Sequence, residues 1–532
     1  MDDRLAIEVA LGRRLLLGEM MARNSRKFPN KEALIYGDTR LTYKQLNERI
    51  NKLAYALLDL GIKKGSKVAV LAFNCNQFME TYFALGKIGG VAVPLNFRLH
   101  PEELKYIINN ADAEALIVGE AFVETAKGIQ KDLPTVKRYI VISDKPADGM
   151  LQFEKWIEKY PDTEPLVLVD EDDPAFIMYT AGTTGRPKGA VITHKNEMVL
   201  WMLGATFVFS EPQLGNLWDY RGFGVPPIFH LASFGFCQFL FFLGTTIVLP
   251  TEVFDPAYIM RTIEKERVNA LVMVPAMTNF LLMLPDLDKY DTSSLHLWGS
   301  SGAILPTETR RQLKKHFPNI KIFDLFGMTE TSALVSGLLP SESEGRETSV
   351  GRALPFIEIR VVDDNDRDVP IGEVGEAVYR GPTVLKEYYK DPKATAEAMR
   401  NGWFHSGDLV RKDAGGYLYI VDRKKDMINS GGENIYPAEI EQVLFKNPKI
   451  MECAVIGVHD KDWGESVKAI VVPKPGEQLT EAEVIDFCKA SLASYKKPRS
   501  VDFMDALPRN AMGKVLKTVL REKYGQTIKY QN

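Results

Sequence analysis

Cysteine is scarce in this chain. Cys75, Cys237, Cys453 and Cys488 are its four thiols among 532 residues. No two stand close enough for a zinc knuckle or a redox pair, which excludes a disulfide-stapled scaffold and fits a reduced, cytoplasmic chain. An excess of one charge is also missing. The 66 Lys and Arg oppose 70 Asp and Glu, a formal net charge of −4, so no bulk field draws the chain to nucleic acid. Internal repeats and low-complexity tracts are lacking. Hydrophobic residues make up 45% and charged residues 26%, which excludes disordered and fibrous classes. Acidic Met1-Asp2-Asp3 lacks the positive start of a signal peptide. The ending Lys529-Tyr530-Gln531-Asn532 matches no peroxisomal or retention address.

Charge is locally absent over residues 222–251, which hold no Asp, Glu, Lys or Arg. Length alone would let that stretch span a bilayer. Pro226, Pro227, His230, Gln238 and the break Gly244-Thr245-Thr246 interrupt it. Lipid leaves such backbone breaks unsatisfied. The stretch is therefore expected to form a buried helix over 234–243 and a buried strand over 246–249. No integral membrane segment is expected, and peripheral membrane contact stays open.

At roughly 150 residues per domain the length allows three or four folding units. Leu46, Ile50, Leu53, Leu57 and Leu58 recur at helical spacing. Near-continuous apolar runs at 67–71, 91–95, 115–118, 270–274 and 320–323 alternate with helical patterns such as 78–88. Such runs predict an α/β fold with parallel-rich sheets covered by helices on both faces. The texture changes after about residue 350. Segments 358–362 and 375–379 alternate polar with apolar residues around Asp363-Asp364-Asn365-Asp366, which predicts a small antiparallel subdomain of half-exposed strands. A strand over 417–421 runs into the charged knot Asp422-Arg423-Lys424-Lys425-Asp426. On charge alone the knot is a solvated turn. Enough chain follows it for a small α+β domain, and the boundary is placed in the knot.

The strongest chemical signal is Tyr179-Thr180-Ala181-Gly182-Thr183-Thr184-Gly185-Arg186-Pro187-Lys188-Gly189, a loop leaving the apolar run 175–178. Its glycines let backbone N–H groups face an anion, its threonines add hydroxyl donors, and Lys188 adds charge. That combination suits a polyphosphate better than a mobile surface hairpin. It is not the common P-loop, because Pro187 stands where that motif needs glycine and Gly189 replaces Ser or Thr after the lysine.

This loop resembles the phosphate-binding signature of the adenylate-forming superfamily, which includes acyl-CoA synthetases, aryl-CoA ligases and peptide-synthetase adenylation domains. Ala181 departs from the usual serine. Leu325-Phe326-Gly327-Met328-Thr329-Glu330 is similar to the second signature. The resemblance makes Phe326 the adenine stacker in place of a usual tyrosine, Thr329 a phosphate contact, and Glu330 with Thr184 the holders of Mg²⁺. Alone, Glu330 would be an ordinary charge at a helix N-terminus. Trp403-Phe404-His405-Ser406-Gly407-Asp408 resembles the third signature, in which Asp408 accepts the ribose hydroxyls; one carboxylate can accept two donors. Arg423 matches the nucleotide-contacting arginine before the family hinge. The hinge falls on Lys425, dividing the chain into a large domain, 1–424, and a small mobile domain, 425–532. Leu507-Pro508-Arg509-Asn510-Ala511-Met512-Gly513-Lys514 is similar to the last signature and makes Lys514 the catalytic lysine. A cation delivered to the α-phosphate stabilises charge that grows in the transition state.

The acid is marked less sharply. Pro227-Ile228-Phe229-His230-Leu231-Ala232 resembles the stretch beside the acyl pocket. His230 would be a gate beside that tunnel or the path of CoA, although a hydrogen-bonded core histidine is the ordinary alternative. No acidic residue stands there to hold an amino group, which disfavours amino acids. Trp298-Gly299-Ser300-Ser301-Gly302-Ala303-Ile304-Leu305 looks like the glycine-rich strand and loop along acyl pocket and adenine, with Gly302 and Ala303 on the nucleotide side. Ser301 replaces a usual glycine and adds bulk. Phe229, Phe234, Met273, Val274, Met277 and Trp298 are candidate pocket walls. In Ile428-Asn429-Ser430-Gly431-Gly432-Glu433-Asn434-Ile435-Tyr436-Pro437 the pair Gly431-Gly432 and Glu433 resemble a CoA-binding loop, where tight turns are the alternative. The resemblance implies an ATP-dependent carboxylate–CoA ligase. Acid, ATP with Mg²⁺ and coenzyme A would give acyl-CoA, AMP and pyrophosphate through an acyl-AMP. A fatty or other hydrophobic acid comes first. An aryl or alicyclic acid, or an acyl-AMP ligase loading a carrier protein, are the alternatives, and a homodimer stays open.

Overall fold

The computed structural model describes residues 3–180, 186–212, 214–430, 433–461, 463–509 and 515–524. Among these residues three sheets take their strands from the chain up to Arg423, and a fourth takes its strands from Ile428 onward.

The eight-stranded sheet explains the near-continuous apolar runs. Its centre is parallel, with Lys67–Leu71 between Val91–Pro94 and Ala113–Gly119. Val68 and Val70 pack with Leu46, Ile50 and Phe78 on one face. Ala69 and Leu71 pack with Leu104, Ile107 and Ile108 on the other. Both side-chain directions are buried, so alternation disappears. The covering helix Tyr43–Asp59 begins with a capping box between Thr42 and Gln45.

The nine-stranded sheet absorbs the uncharged stretch. The helix Leu231–Leu243 stops at Gly244, whose φ of 71° is left-handed. The strand Thr246–Leu249 then pairs in parallel with Arg221–Phe223 and Glu32–Tyr36. Among the described residues no helix is long and apolar enough to cross a membrane.

The antiparallel sheet corrects two expectations. The strand Val374–Arg380 is central, between Glu358–Val362 and Trp403–Lys412, and Gly375 through Tyr379 are buried on both faces rather than half-exposed. Glu376 tolerates 6% exposure because its carboxylate accepts the Gly407 N–H at 3.0 Å and the Lys424 ammonium at 3.3 Å. The charged knot is also not one solvated turn. Asp422 and Arg423 close the strand Leu418–Arg423, and buried Asp422 accepts the Ala438 N–H at 3.0 Å. The turn begins only at Lys424. There the Arg423 carbonyl accepts the N–H groups of Asp426 and Met427, and Lys425 is exposed.

The fourth sheet carries Pro437–Leu444 and Glu481–Lys489 on one face and Lys517–Tyr524 on the other. Arg521 reaches Asp426 of the turn at 2.8 Å.

One turn holds a residue against its preference. Ile357 N–H bonds the Leu354 carbonyl at 3.0 Å, with Pro355 and Phe356 between them. Phe356 has φ of 63° and is 81% exposed. A positive φ after proline suits glycine, and an L side chain there costs about 1–2 kcal/mol. Phe356→Gly is expected to stabilise the chain by about 1 kcal/mol. A lower denaturant midpoint for the variant would contradict this.

Candidate active site

The phosphate-loop hairpin consists of the strands Pro174–Thr180 and Lys188–Thr193, in register so that Thr180 faces Lys188. Ala181, Gly182, Thr183, Thr184 and Gly185 lie outside the described residues. The hairpin's two ends meet the second signature. The strand Lys321–Phe326 leads into the short turn Thr329–Thr331 that buries Glu330. The Thr180 hydroxyl donates to Glu330 Oε1 at 3.2 Å, and the Tyr388 hydroxyl donates to the same oxygen at 3.0 Å. The Glu330 carbonyl accepts the Leu385 N–H at 2.7 Å. The Lys188 ammonium stands 5.4 Å from the Tyr388 ring centroid. A cation and a carboxylate thus flank the loop that the sequence marks for polyphosphate.

Gly327 is required by its surroundings: a Cβ there would lie 2.2 Å from the Ala333 carbonyl oxygen. The chain reverses through Ser332 and Ala333, both at positive φ, and returns against Phe326. Phe326, Met328 and Thr329 are half-buried along this edge. Gly302 follows the strand Leu297–Ser300, which pairs in parallel with Lys321–Phe326; its φ is 82°, and Ala303 beside it is exposed.

Asp408 and Arg423 face each other in register on adjacent strands. Their charged groups are 2.5 Å apart, and Asp408 is 3% exposed. Gly407, just before Asp408, gives its carbonyl to the Lys424 N–H at 2.8 Å. The ribose candidates are therefore bound directly to the turn that carries Lys425. Glu433 is exposed at the start of the strand Glu433–Ile435. Gly431, Gly432 and Lys514 lie outside the described residues.

Two cavities share Ala232, Val272 and Ser301. The larger, about 150 Å³, is rimmed by Arg98, His230, Val274, Met277 and Arg509. The smaller, about 60 Å³, is an apolar slot walled by Trp201, Phe207, Phe236, Phe239, Leu325 and Ala333. His230 precedes the helix Leu231–Leu243, and its Nε2 is buried without a hydrogen bond among the described residues. Burial, with Arg98 adding to it, holds its pKa down to about 3, so the ring is neutral. Arg509 lines the larger cavity, pairs with Glu452 at 2.6 Å and forms a β-bridge with Val515.

Val274 and Ser301 line these cavities, and so do Met273 and Met277. Trp298 does not. It is fully buried on the opposite face of its strand, 5.7 Å from the ring of Phe317. Gly299 and Ser301, its neighbours in alternation, face the slot. Phe229 and Phe234 are likewise core: Phe234 stacks on Tyr82, and Phe229 packs on Phe97 and the His230 ring. Sequence reasoning missed Tyr388, Arg98 and Trp201. Arg509, which also lines the larger cavity, lay inside a quoted signature without being given a role.

Glu197 is fully buried on the helix His194–Phe209, one turn before the slot residue Trp201. Burial raises its pKa well above the usual 4.5. The folded state then keeps a proton that the unfolded chain loses above that value, so stability falls as pH rises. Glu197→Gln removes the titration. Its melting temperature is expected to exceed the wild type's by a few degrees at neutral pH, with the gap closing near pH 4. Parallel melting curves across pH would refute this.

Known proteins resemble the chain over nearly its whole length. Residues 21–389 match the family described as AMP-binding enzyme, and residues 439–514 match the AMP-binding enzyme C-terminal domain. A feruloyl-CoA synthase of Amycolatopsis sp is 37% identical over 511 residues, covering 96% of this chain and 99% of the relative. A long-chain-fatty-acid–CoA ligase of Mycobacterium tuberculosis is 36% identical over 520 residues, covering 96% and 99%. The crystal structure of an anthranilate CoA ligase in complex with anthranoyl-AMP superposes with a TM-score of 0.89 at 29% identity, covering 97% of this chain and 98% of that one. The chain belongs to the AMP-binding enzyme family and, within it, to the AMP-forming acid–thiol ligases. Enzymes of this class consume ATP and CoA.

Proposed function

We propose that the chain joins a compact, ring-bearing hydrophobic acid, aromatic or alicyclic, to CoA. The observation that carries this is the aromatic-walled slot, whose walls Leu325 and Ala333 bracket the segment from Phe326 to Glu330. The slot is narrow and walled by aromatic rings, against which a flat ring packs offset or edge-to-face. This reverses the order expected from sequence, where a fatty acid came first. Relatives named for feruloyl-CoA and anthranoyl-AMP point the same way.

In the first step a carboxylate oxygen of the acid attacks the α-phosphorus of ATP, and pyrophosphate leaves. Thr180, Lys188 and the loop between them hold the phosphates. Phe326, Gly327, Met328, Thr329, Gly302 and Ala303 frame the adenine, and Asp408 with Arg423 takes the ribose. The donor set fits Mg²⁺: a carboxylate and hydroxyls are hard oxygen ligands, and this ion is commonly held by one or two carboxylates plus substrate phosphates. Glu330 and Thr184 would hold it. When bound it neutralises charge on the phosphates. Lys514 supplies the second cation. In the second step the CoA thiol attacks the acyl carbonyl and AMP leaves. The larger cavity, rimmed by Arg98, His230 and Arg509, suits the pantetheine arm, and Gly431, Gly432 and Glu433 flank its approach after rotation about Lys425. His230, with a pKa near 3, is too weak a base to take the thiol proton at neutral pH and acts as a polar gate.

A pyrophosphate-release screen over benzoic, cinnamic, indolic, alicyclic and medium- to long-chain fatty acids tests the reading. A one- or two-ring acid is expected to give the highest kcat/KM, with acyl-CoA as product. Faster turnover of long-chain acids refutes the substrate class. Pyrophosphate without acyl-CoA, together with loading of a carrier protein, refutes the acceptor.

A further inference from the structure

Tyr388 belongs to none of the signatures that mark the site, yet it touches both of its charges. The strand Glu387–Tyr388 adds to the edge of the hairpin, with Tyr388 opposite Ala190. That placement sets its hydroxyl 3.0 Å from Glu330 Oε1 and its ring 5.4 Å from the Lys188 ammonium. The residue is 9% exposed. Its hydroxyl is the donor and the Glu330 carboxylate the acceptor.

Two consequences follow from this placement. Opposite charges flanking one loop attract each other strongly in a partly dry site. No ion pair joins Lys188 to Glu330 among the described residues; Tyr388 touches both, its ring beside the Lys188 ammonium and its hydroxyl on Glu330. Both hydroxyl donors, Thr180 and Tyr388, fall on Oε1. Among the described residues no donor reaches Oε2.

We propose that Tyr388 is a positioning residue for the ATP half-reaction: its ring keeps Lys188 from closing onto Glu330, and its hydroxyl fixes Oε1 so that Oε2 is presented to Mg²⁺. This rests on the roles given above to Lys188 and Glu330. The two tasks separate chemically. Tyr388→Phe keeps the ring and loses the hydroxyl. Tyr388→Leu loses both.

The test is the melting temperature of the full chain with ATP alone and with ATP plus increasing Mg²⁺, since a ligand of the native state raises it. For Tyr388→Phe the shift with ATP alone is expected to match the wild type. The Mg²⁺ concentration giving half of the additional shift is expected to rise about ten-fold, the size of one hydrogen bond to a charged group. For Tyr388→Leu the shift with ATP alone is expected to shrink as well. An unchanged Mg²⁺ midpoint in Tyr388→Phe overturns the proposal, whatever its turnover. Equal weakening of both shifts in Tyr388→Phe also overturns it, because general loosening does that. Absence of any ATP or MgATP shift in the wild type overturns the nucleotide reading and this inference with it.

Discussion

Lys514→Ala is expected to lower acid-dependent ATP–pyrophosphate exchange by roughly 10²–10³-fold, the cost of removing one positioned charge-stabilising group. Conversion of supplied acyl-AMP and CoA to acyl-CoA is expected to stay near the wild-type rate. The first step builds negative charge around the α-phosphorus, and a cation there binds the transition state more tightly than the ground state. The second step releases AMP from a carbonyl and has no such need. Structure bears on the assignment through the flanks of the loop. Arg509 lines the larger cavity, Val515 bridges back to Arg509, and the Leu516 N–H bonds the Pro508 carbonyl at 2.8 Å. Those contacts pair the two flanks of residues 510–514 with each other, the Arg509 side at the cavity. Quench-flow measurement of each half-reaction decides the matter. Equal loss in both steps would remove Lys514 from its role.

The parallel sheets were legible because burial on both faces leaves a simple trace, an apolar run such as 67–71 whose alternate residues enter different clusters. The uncharged stretch was legible for a related reason, since Gly244 and the prolines break it where a membrane span could not be broken. Glu376 and Asp422 were misread because charge was taken for exposure. Each is buried against a specific partner far along the chain, and no local pattern announces a backbone N–H waiting at Gly407 or Ala438.

At the site, motifs gave residue types but not directions. Trp298 looked like a pocket wall because it is large and apolar. One step of strand alternation instead turns it into the core and turns Ser301 to the slot. Tyr388 was invisible for a different reason. It lies 58 residues beyond its partner Glu330, and a tyrosine pair followed by lysine carries no chemistry of its own. Its role appears only when the sheet edge places it against the hairpin.

Glu330→Gln is expected to depress the ATP half-reaction by about 10²–10³-fold while leaving the fold intact. The geometry makes this substitution a clean removal of charge. Thr180 and Tyr388 both donate to Oε1, and a glutamine carbonyl oxygen can accept the same two donors. The Leu385 N–H bonds the main-chain carbonyl at 2.7 Å and is unaffected by the side chain. Packing and hydrogen bonding therefore persist, and the melting temperature without nucleotide is expected to change little. What is lost is the anionic oxygen facing the phosphate loop, and with it the ligand charge for Mg²⁺. ATP–pyrophosphate exchange is expected to collapse and to recover little with excess Mg²⁺, because a neutral amide is a much poorer ligand for a hard cation. Thioester formation from supplied acyl-AMP is expected to continue. The pattern differs from Tyr388→Phe, where excess Mg²⁺ restores activity because the carboxylate remains. Retained exchange in Glu330→Gln at ordinary Mg²⁺ would mean that the carboxylate serves only to tie the hairpin to the second signature.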